Sequence, residues 1–419
     1  MVLLLLWIPI LQKVFTIVKE KPLSGAITTI EQPGCLLKYC ITGEYQDKMD
    51  EYLKSSFGFR NSLIRLNNQK MYSFFNLAKA KNVVVGKENF LYEEPYITSY
   101  FGQNFVGEEV VEKNIKKMVR VKEYLKSKGK DIIFVIAPGK ASFFPEYIPE
   151  KYNKLDKKKT NYEAYLDAFK KNNINYIDFR EWFLANKEKS KYPLYPKCGI
   201  HWSKYGEYLA ADSLIKYIEK LRNIDLPELV LDSLVISKKS LFEDSDIEYG
   251  MNLMFEIPTF SMAYPYTRII ENKNNIKTLV VGDSYYWGLY NRGLSQKIFD
   301  KGEFWYYNKE IFSSLIEGST YIEKIDLKKT VEENDLFIMF FSEMNLINFD
   351  YGFSNLLYIH LFTSGDEKQK NRFEFYIESI KNSPEWMQQI KKQAEELKMP
   401  LEEVIRENAI FMVNKEKDV

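Results

Sequence analysis

Apolar positions along the chain follow two rhythms. Short continuous runs rich in β-branched and aromatic residues occur at DIIFVIAP (131–138), INYIDF (174–179), Thr278 to Val281 and DLFIMFF (335–341), each bounded by polar or turn residues. Runs of this length and composition read as strands buried on both faces. Between them, apolar residues recur three and four apart over Asn114 to Lys128, Tyr162 to Asn172 and Tyr205 to Leu221, which predicts helices. Strands alternating with helices predict an α/β domain with a largely parallel sheet flanked by helices, whose functional loops gather at the carboxyl ends of the strands. The stretch NVVVGKENFLY (82–92) predicts a hairpin that opens this domain.

The flanking sequence reads differently. Residues 44–81 carry Met49, Leu53 and Phe57, then Leu63, Leu66, Met71, Phe74 and Phe75, at helical spacing with a break at Gly58, so two amphipathic helices are expected, with a packing role. Residues 225–272 are irregular and read as an insertion with short strands. GDEKQKNR (365–372) reads as a charged linker. After it Phe373 to Ile380, Glu385 to Leu397 and Leu401 to Met412 predict a helical tail, with Pro384 and Pro400 at helix starts. The organisation expected is 1–25 as a truncated signal or membrane anchor, 26–81 as a helical segment, 82–365 as the α/β domain including the insertion, and 366–419 as the tail.

The amino-terminal run VLLLLWIPI (2–10) is short for a membrane-spanning helix, and no basic segment precedes it. It reads either as an anchor or as a buried helix. Pro9, Lys13, Lys19 and Lys21 favour the anchor, which would place the remainder outside the cytoplasm.

Charge narrows the function classes. Lys and Arg number 59 against 58 Asp and Glu, so no global field recruits nucleic acid or an anionic surface. Cys35, Cys40 and Cys198 have no zinc-knuckle spacing, and a Cys35 to Cys40 bridge is the less favoured alternative to free thiols. The two histidines form no ligand cluster, so neither a metal nor another cofactor is expected.

Candidate chemistry centres on TLVVGDSYYWG (278–288). A serine on a sharp turn between strand and helix is held clear of the sheet beside backbone N–H groups, which makes Ser284 the candidate nucleophile. The same triplet also suits plain turn or helix-capping chemistry. His201, in the loop YPKCGIHWSKYGEY, is the candidate base. His360, within LLYIHLF, reads as a packing residue.

Together GKENFLY, APGKASFFPEYIP, the HWS loop with its helix, VVGDS and the strand followed by SEMNL resemble, in order and spacing, the SGNH hydrolase-like alginate O-acetyltransferase family. The resemblance implies an SGNH-hydrolase-like fold, Ser284 as the acyl-carrying nucleophile and His201 as its base. It places the acid two residues before the histidine, where this chain has Gly199. Glu343 is then the first substitute expected and Asp178 the second, and glycine is expected to leave room for an aspartate at 199. By analogy Asn345 and the Ser284 N–H are oxyanion donors, and Gly282 and Asp283, on the turn, count among the oxyanion and substrate contacts. Tyr285, Tyr286 and Trp287 either line a sugar subsite or begin a packed helix, and Trp202 and Lys140 are further candidates for substrate contact. The function implied is an extracytoplasmic, membrane-tethered protein that moves an acetyl group to or from a polysaccharide hydroxyl through an acyl-serine, supplied by a membrane-bound acyl-donor protein. The alternative is a non-catalytic relative that binds glycan or scaffolds a secretion complex, and Gly199 is the feature favouring it.

Overall fold

Five strands of the main domain align in parallel, and their carboxyl ends form one edge. In the computed structural model, which describes residues 2–25, 30–34, 42–271, 274–322, 325–362, 365–397 and 399–415, eleven strands occur. β1 (Val83–Val85) and β2 (Leu91–Glu93) form the expected antiparallel hairpin. They are followed by β3 (Asp131–Ala137), β4 (Asn175–Asp178), β5 (Glu228–Ser237), β6 (Met262–Ile270), β7 (Thr278–Gly282), β8 (Phe304–Tyr306), β9 (Glu310–Phe312), β10 (Thr320–Tyr321) and β11 (Leu336–Ser342). The main sheet has the order β10-β9-β8-β7-β11-β3-β4, parallel from β8 to β4 and closed at the other edge by the antiparallel β9 and β10. The α/β class with a mostly parallel sheet flanked by helices is therefore the observed one.

Why these runs are continuously apolar follows from their side chains alternating between two cores. Ile133, Val135, Val280, Ile338 and Phe340 point to one face, where they pack with Ala210, Ala211, Leu214 and Ile218 of the helix Lys204–Arg222. Ile132, Phe134, Ile136, Val281, Met339 and Phe341 point to the other, against Val111, Ile115, Met118, Val121 and Leu125 of the helix Glu108–Ser127 and Tyr165 and Phe169 of the helix Asn161–Lys171. A parallel strand buried on both faces needs this pattern. Each fully buried aliphatic or aromatic side chain contributes about 1.5–3 kcal/mol relative to exposure, so β3, β7 and β11 anchor the domain.

Three stretches differ from expectation. Residues 225–272 hold two long antiparallel strands, β5 and β6, that pair only with each other and leave the main sheet. The charged stretch 365–372 is the start of the helix Gly365–Asn382, which joins Pro384–Leu397 and Leu401–Lys415 around Ile380, Ile390, Val404 and Ile405. Its charges lie on a helix that keeps Tyr376 and Ile380 for that core. Strands β8 to β10 fall where no strand is expected, because each is only two or three residues long.

The amino-terminal run forms the helix Val2–Phe15 with Pro9 inside it, and Trp7, Ile10, Val14 and Phe15 of this helix are exposed. No helix among the described residues is long and apolar enough to cross a membrane. The expected helices on either side of Gly58 are Glu44–Ser56 and Arg60–Phe75. The second is bound to the segment after residue 250 through Asn68 Nδ2 on the Met251 carbonyl at 2.8 Å and Gln69 Oε1 accepting from the N–H groups of Met254 and Phe255. Cys35 and Cys40 lie outside the described residues; Cys198 is a buried free thiol.

Candidate active site

β7 ends at Gly282, and the chain turns into the short helix Tyr286–Asn291, leaving Ser284 on the turn. The turn is fixed by Asp283, whose fully buried carboxylate accepts from the N–H of Tyr285 at 3.0 Å, the N–H of Ser342 at 2.7 Å and Asn345 Nδ2 at 2.7 Å. Asp283 thus joins the ends of β7 and β11. A carboxylate with several donors is held far more firmly than a lone buried charge.

His201 stands in the loop before the helix Lys204–Arg222, which Ser203 caps by accepting from the Gly206 N–H at 3.0 Å. Several side chains set the loop's height. Lys140 Nζ donates to the carbonyls of Lys197 at 2.7 Å and Gly199 at 2.6 Å, and the hydroxyls of Tyr195 and Tyr285 converge on the Ile200 carbonyl at 2.8 and 3.1 Å. The imidazole lies edge-on to Tyr285, with ring centres 4.7 Å apart. So held, His201 Nε2 is 2.8 Å from Ser284 Oγ, within the reach that general-base work requires.

The carboxylate behind the ring is Asp246, whose Oδ2 is 3.3 Å from His201 Nδ1. Its other oxygen accepts from the N–H groups of Ile200 at 2.9 Å and Ile247 at 2.8 Å, so the group that faces the histidine also holds the histidine's own loop. Asp246 opens the helix Asp246–Met251 between β5 and β6, within the irregular insertion. Glu93 is a further carboxyl facing this pair; burial and then the Asp246 charge push it up, while His201 draws it down.

The substitutes expected from sequence stand elsewhere. Glu343 is buried, with its carboxylate 2.6 Å from Arg180 Nε and hydrogen-bonded to the Ser142 hydroxyl. Asp178 caps the helix Phe179–Asn186 by accepting from the Glu181 N–H at 3.0 Å, and accepts from the Tyr162 hydroxyl at 2.6 Å. Both sit at the carboxyl edge, at the ends of β11 and β4, but neither is behind the ring. Nor is there room at Gly199. A Cβ there would come within 2.8 Å of the Asp244 carbonyl carbon and 2.9 Å of the Glu243 carbonyl oxygen, both backbone atoms. Glycine is at 199 because the insertion passes across it.

The other candidates are mostly structural. Asn345 is buried and gives its amide to Asp283 and, at 3.3 Å, to Ser342 Oγ, so its donors are taken up by these two residues. Gly282 lies in β7 with the Phe340 carbonyl 2.8 Å from where a Cβ would be, so only glycine fits. Tyr285, Tyr286 and Trp202 are almost wholly buried and cannot offer a face to a sugar; Tyr286 bonds the Ser295 hydroxyl at 2.8 Å, and Trp202 packs against Phe183 and Tyr285. Trp287 is partly buried among Tyr290, Phe304, Tyr306 and Phe312. Lys140 is 1 % exposed, and burial pushes its amine down to about 7. His360 is half-buried in the helix Phe353–Phe362, and burial lowers its affinity for a proton.

Residues 83–229 match the family described as the SGNH hydrolase-like domain, acetyltransferase AlgX, a stretch that contains His201 and ends before Asp246 and Ser284. No curated protein matches the chain in sequence. Among solved structures, the O-acetyltransferase domain of Pseudomonas putida AlgJ is 16% identical, with 66% of this chain and 99% of that chain covered and a TM-score of 0.41. Pseudomonas aeruginosa AlgX is 15% identical, with 64% and 67% covered and a TM-score of 0.41. Bacillus cereus PatB1 carrying a sulfonyl adduct is 13% identical, with 66% and 99% covered and a TM-score of 0.44.

Proposed function

We propose, from the match of residues 83–229 to the SGNH hydrolase-like acetyltransferase domain, that the chain transfers an acetyl group to or from a polysaccharide hydroxyl through an ester on Ser284. The observation that carries the proposal is the contact of Ser284 Oγ with His201 Nε2 at 2.8 Å, with Asp246 at the far nitrogen of the same ring.

In the first half, Ser284 Oγ attacks the carbonyl carbon of an acyl donor while its proton passes to His201 Nε2. The carbonyl electron pair moves onto oxygen. When the tetrahedral intermediate collapses, the donor's leaving oxygen takes that proton, and an acetyl ester remains on Ser284. In the second half a sugar hydroxyl attacks the ester, giving its proton to His201, which returns it to Ser284 Oγ as the acetylated sugar leaves. Water in place of the sugar gives hydrolysis by the same steps. Asp246, 3.3 Å from His201 Nδ1, closes onto the Nδ1–H as charge develops on the ring, which leaves Nε2 as the base and stabilises the imidazolium that forms.

The setting belongs to the same proposal. The acceptor is a polysaccharide, a membrane-bound partner protein supplies the acyl donor, and the protein works outside the cytoplasm at the membrane, with the exposed apolar residues of the amino-terminal helix as its point of attachment.

The test is intact-protein mass spectrometry after exposure to 4-nitrophenyl acetate. An added acetyl group on the wild type that is missing from Ser284→Ala supports the reading. A wild type that gains nothing, in a preparation that is folded, replaces it with a binding or scaffolding role.

A further inference from the structure

Strand β8 places one more residue at the carboxyl edge beside Ser284. The register pairs Gly282 with Tyr306, and the next residue, Tyr307, donates its N–H to the Gly282 carbonyl at 2.8 Å, so its Cα lies directly alongside the nucleophile turn. Its ring packs against that of Tyr306 with centres 4.4 Å apart, and the Ser284 side chain is close enough to act on the phenol, drawing its ionisation down. Burial, and after it the Asp283 carboxylate, push the phenol's ionisation well above the ordinary tyrosine range, so the group keeps a proton to donate.

The backbone there is unusual. Tyr307 and Asn308 have φ of 52° and 54°, the left-handed region that side chains avoid, and Tyr351 on the neighbouring loop has φ of 54°. The two turns are joined. Asn308 Nδ2 donates to the Tyr351 carbonyl at 3.1 Å, the rings of Tyr307 and Tyr351 meet edge-on at 5.2 Å, and the Tyr351 hydroxyl reaches Asp283 Oδ2 at 3.4 Å. Bulky residues held in this region by surrounding structure cluster at functional sites. With Asn345 directed to Asp283, the site also lacks the side-chain donor that the sequence suggests for the oxyanion.

We infer that Tyr307 is a further catalytic residue, whose hydroxyl donates to the oxyanion formed when Ser284 attacks an acyl carbonyl. The inference rests on the acyl-Ser284 reading. Placed beside the nucleophile turn by its N–H on the Gly282 carbonyl, the phenol neighbours the tetrahedral centre once the Oγ–carbon bond has formed. Tyr307 keeps its proton during the step. The proton that moves is that of Ser284, which goes to His201 and then to the leaving oxygen. Together with the Ser284 N–H, the phenol supplies the preorganised donors that acyl transfer requires.

The test uses the full chain with 4-nitrophenyl acetate and with phenylmethylsulfonyl fluoride, comparing wild type with Tyr307→Phe. Tyr307→Phe is expected to lower kcat by about 10²–10³-fold, the loss typical of one oxyanion donor, with KM little changed, and to slow sulfonylation of Ser284. A Tyr307→Phe protein with wild-type kcat and sulfonylation rate overturns the inference while leaving the acyl-serine reading intact. A folded wild type that is neither acetylated nor sulfonylated at Ser284 overturns both. Should Tyr307→Phe fail to fold, 3,5-difluorotyrosine at 307 keeps the ring and hydroxyl while making a stronger donor; its rate is expected to differ from that of wild type, and an unchanged rate overturns the inference.

Discussion

Gly199 lies directly beneath the backbone of Asp244: a side chain at 199 would bring its first carbon to 2.8 Å from the Asp244 carbonyl carbon. The position before the histidine is therefore filled by main chain, and the reading of Gly199 as vacant space is wrong. Gly199→Asp is expected to destabilise the protein by about 1–3 kcal/mol, as overpacking does, and to lower esterase activity because the displaced segment carries Asp246. Thermal melting and 4-nitrophenyl acetate turnover check both. A variant more active than wild type would show that the segment yields.

The acid can be identified by substitution. Asp246→Asn keeps an oxygen for the Ile200 and Ile247 N–H groups but cannot accept from His201 Nδ1 at its other atom. Turnover is expected to fall by up to about 10⁴-fold, the loss seen when a triad aspartate becomes an amide, with little change in melting temperature. Glu343→Gln is expected to do the reverse. It takes the charged partner from the half-buried Arg180, costing about 1–3 kcal/mol, and acts on stability before it acts on turnover.

Stability should vary with pH around neutrality through two buried groups near Gly199. Burial pushes the Asp244 carboxyl up to about 7, against the Tyr264 hydroxyl and the Lys204 charge that draw it down. Between its ordinary range near 4 and about 7, the folded state holds a proton that the unfolded chain has lost, so this contribution is complete at low pH and disappears as pH rises through 7. Lys140, lowered to about 7, works in the opposite sense: the unfolded chain keeps its proton up to about 10.5, so stability from this group rises with pH above 7. Melting curves from pH 5 to 9 should show Asp244→Asn losing the decline below neutrality and exceeding wild type at pH 8. Identical pH dependence in the two proteins would exclude this role for Asp244.

A fourth test lies away from the site. Glu207 is buried, 2.7 Å from Arg292 Nε and 3.1 Å from Lys204 Nζ, and joins the helix Lys204–Arg222 to the segment after Ser284. A Cβ at Gly288 would overlap the Glu207 carboxylate. Gly288→Ala should separate these charges and cost about 3–5 kcal/mol, the usual result of breaking a buried pair, as read from urea denaturation. A midpoint equal to wild type would mean that the carboxylate relocates without loss.

Ser284 and His201 were legible because their signals are local. A glycine turn after a buried strand, and a histidine in a loop before a capped helix, can be read within ten residues. Asp246 was not. It is one of several acidic residues in FEDSDIEYG, with nothing in their spacing to distinguish it, and its place behind the ring depends on how β5 and β6 carry the insertion across Gly199. Tyr307 escaped for another reason: β8 has three residues, too few to show a period, so the turn after it carried no strand signal. The charged start of Gly365–Asn382 misled in the opposite direction, since charge density marks solvent contact as readily on a helix as in a linker.

The insertion that carries Asp246 belongs to no strand of the main sheet, whereas Ser284 is fixed to that sheet through Asp283. Of the three groups, the acid alone rides on a separate ribbon, secured from the amino-terminal side by Asn68 on the Met251 carbonyl and by Asn252, which accepts from the Ser24 N–H at 2.7 Å. Opening of that ribbon would cost only its own contacts, a fraction of the free energy of global unfolding. Such an excursion would take the acid away and release the Ile200 N–H that it holds, leaving the histidine loop to its contacts with Lys140, Tyr195 and Tyr285. Amide exchange in residues 246–252 therefore sets an upper limit on the fraction of time that the constellation is complete.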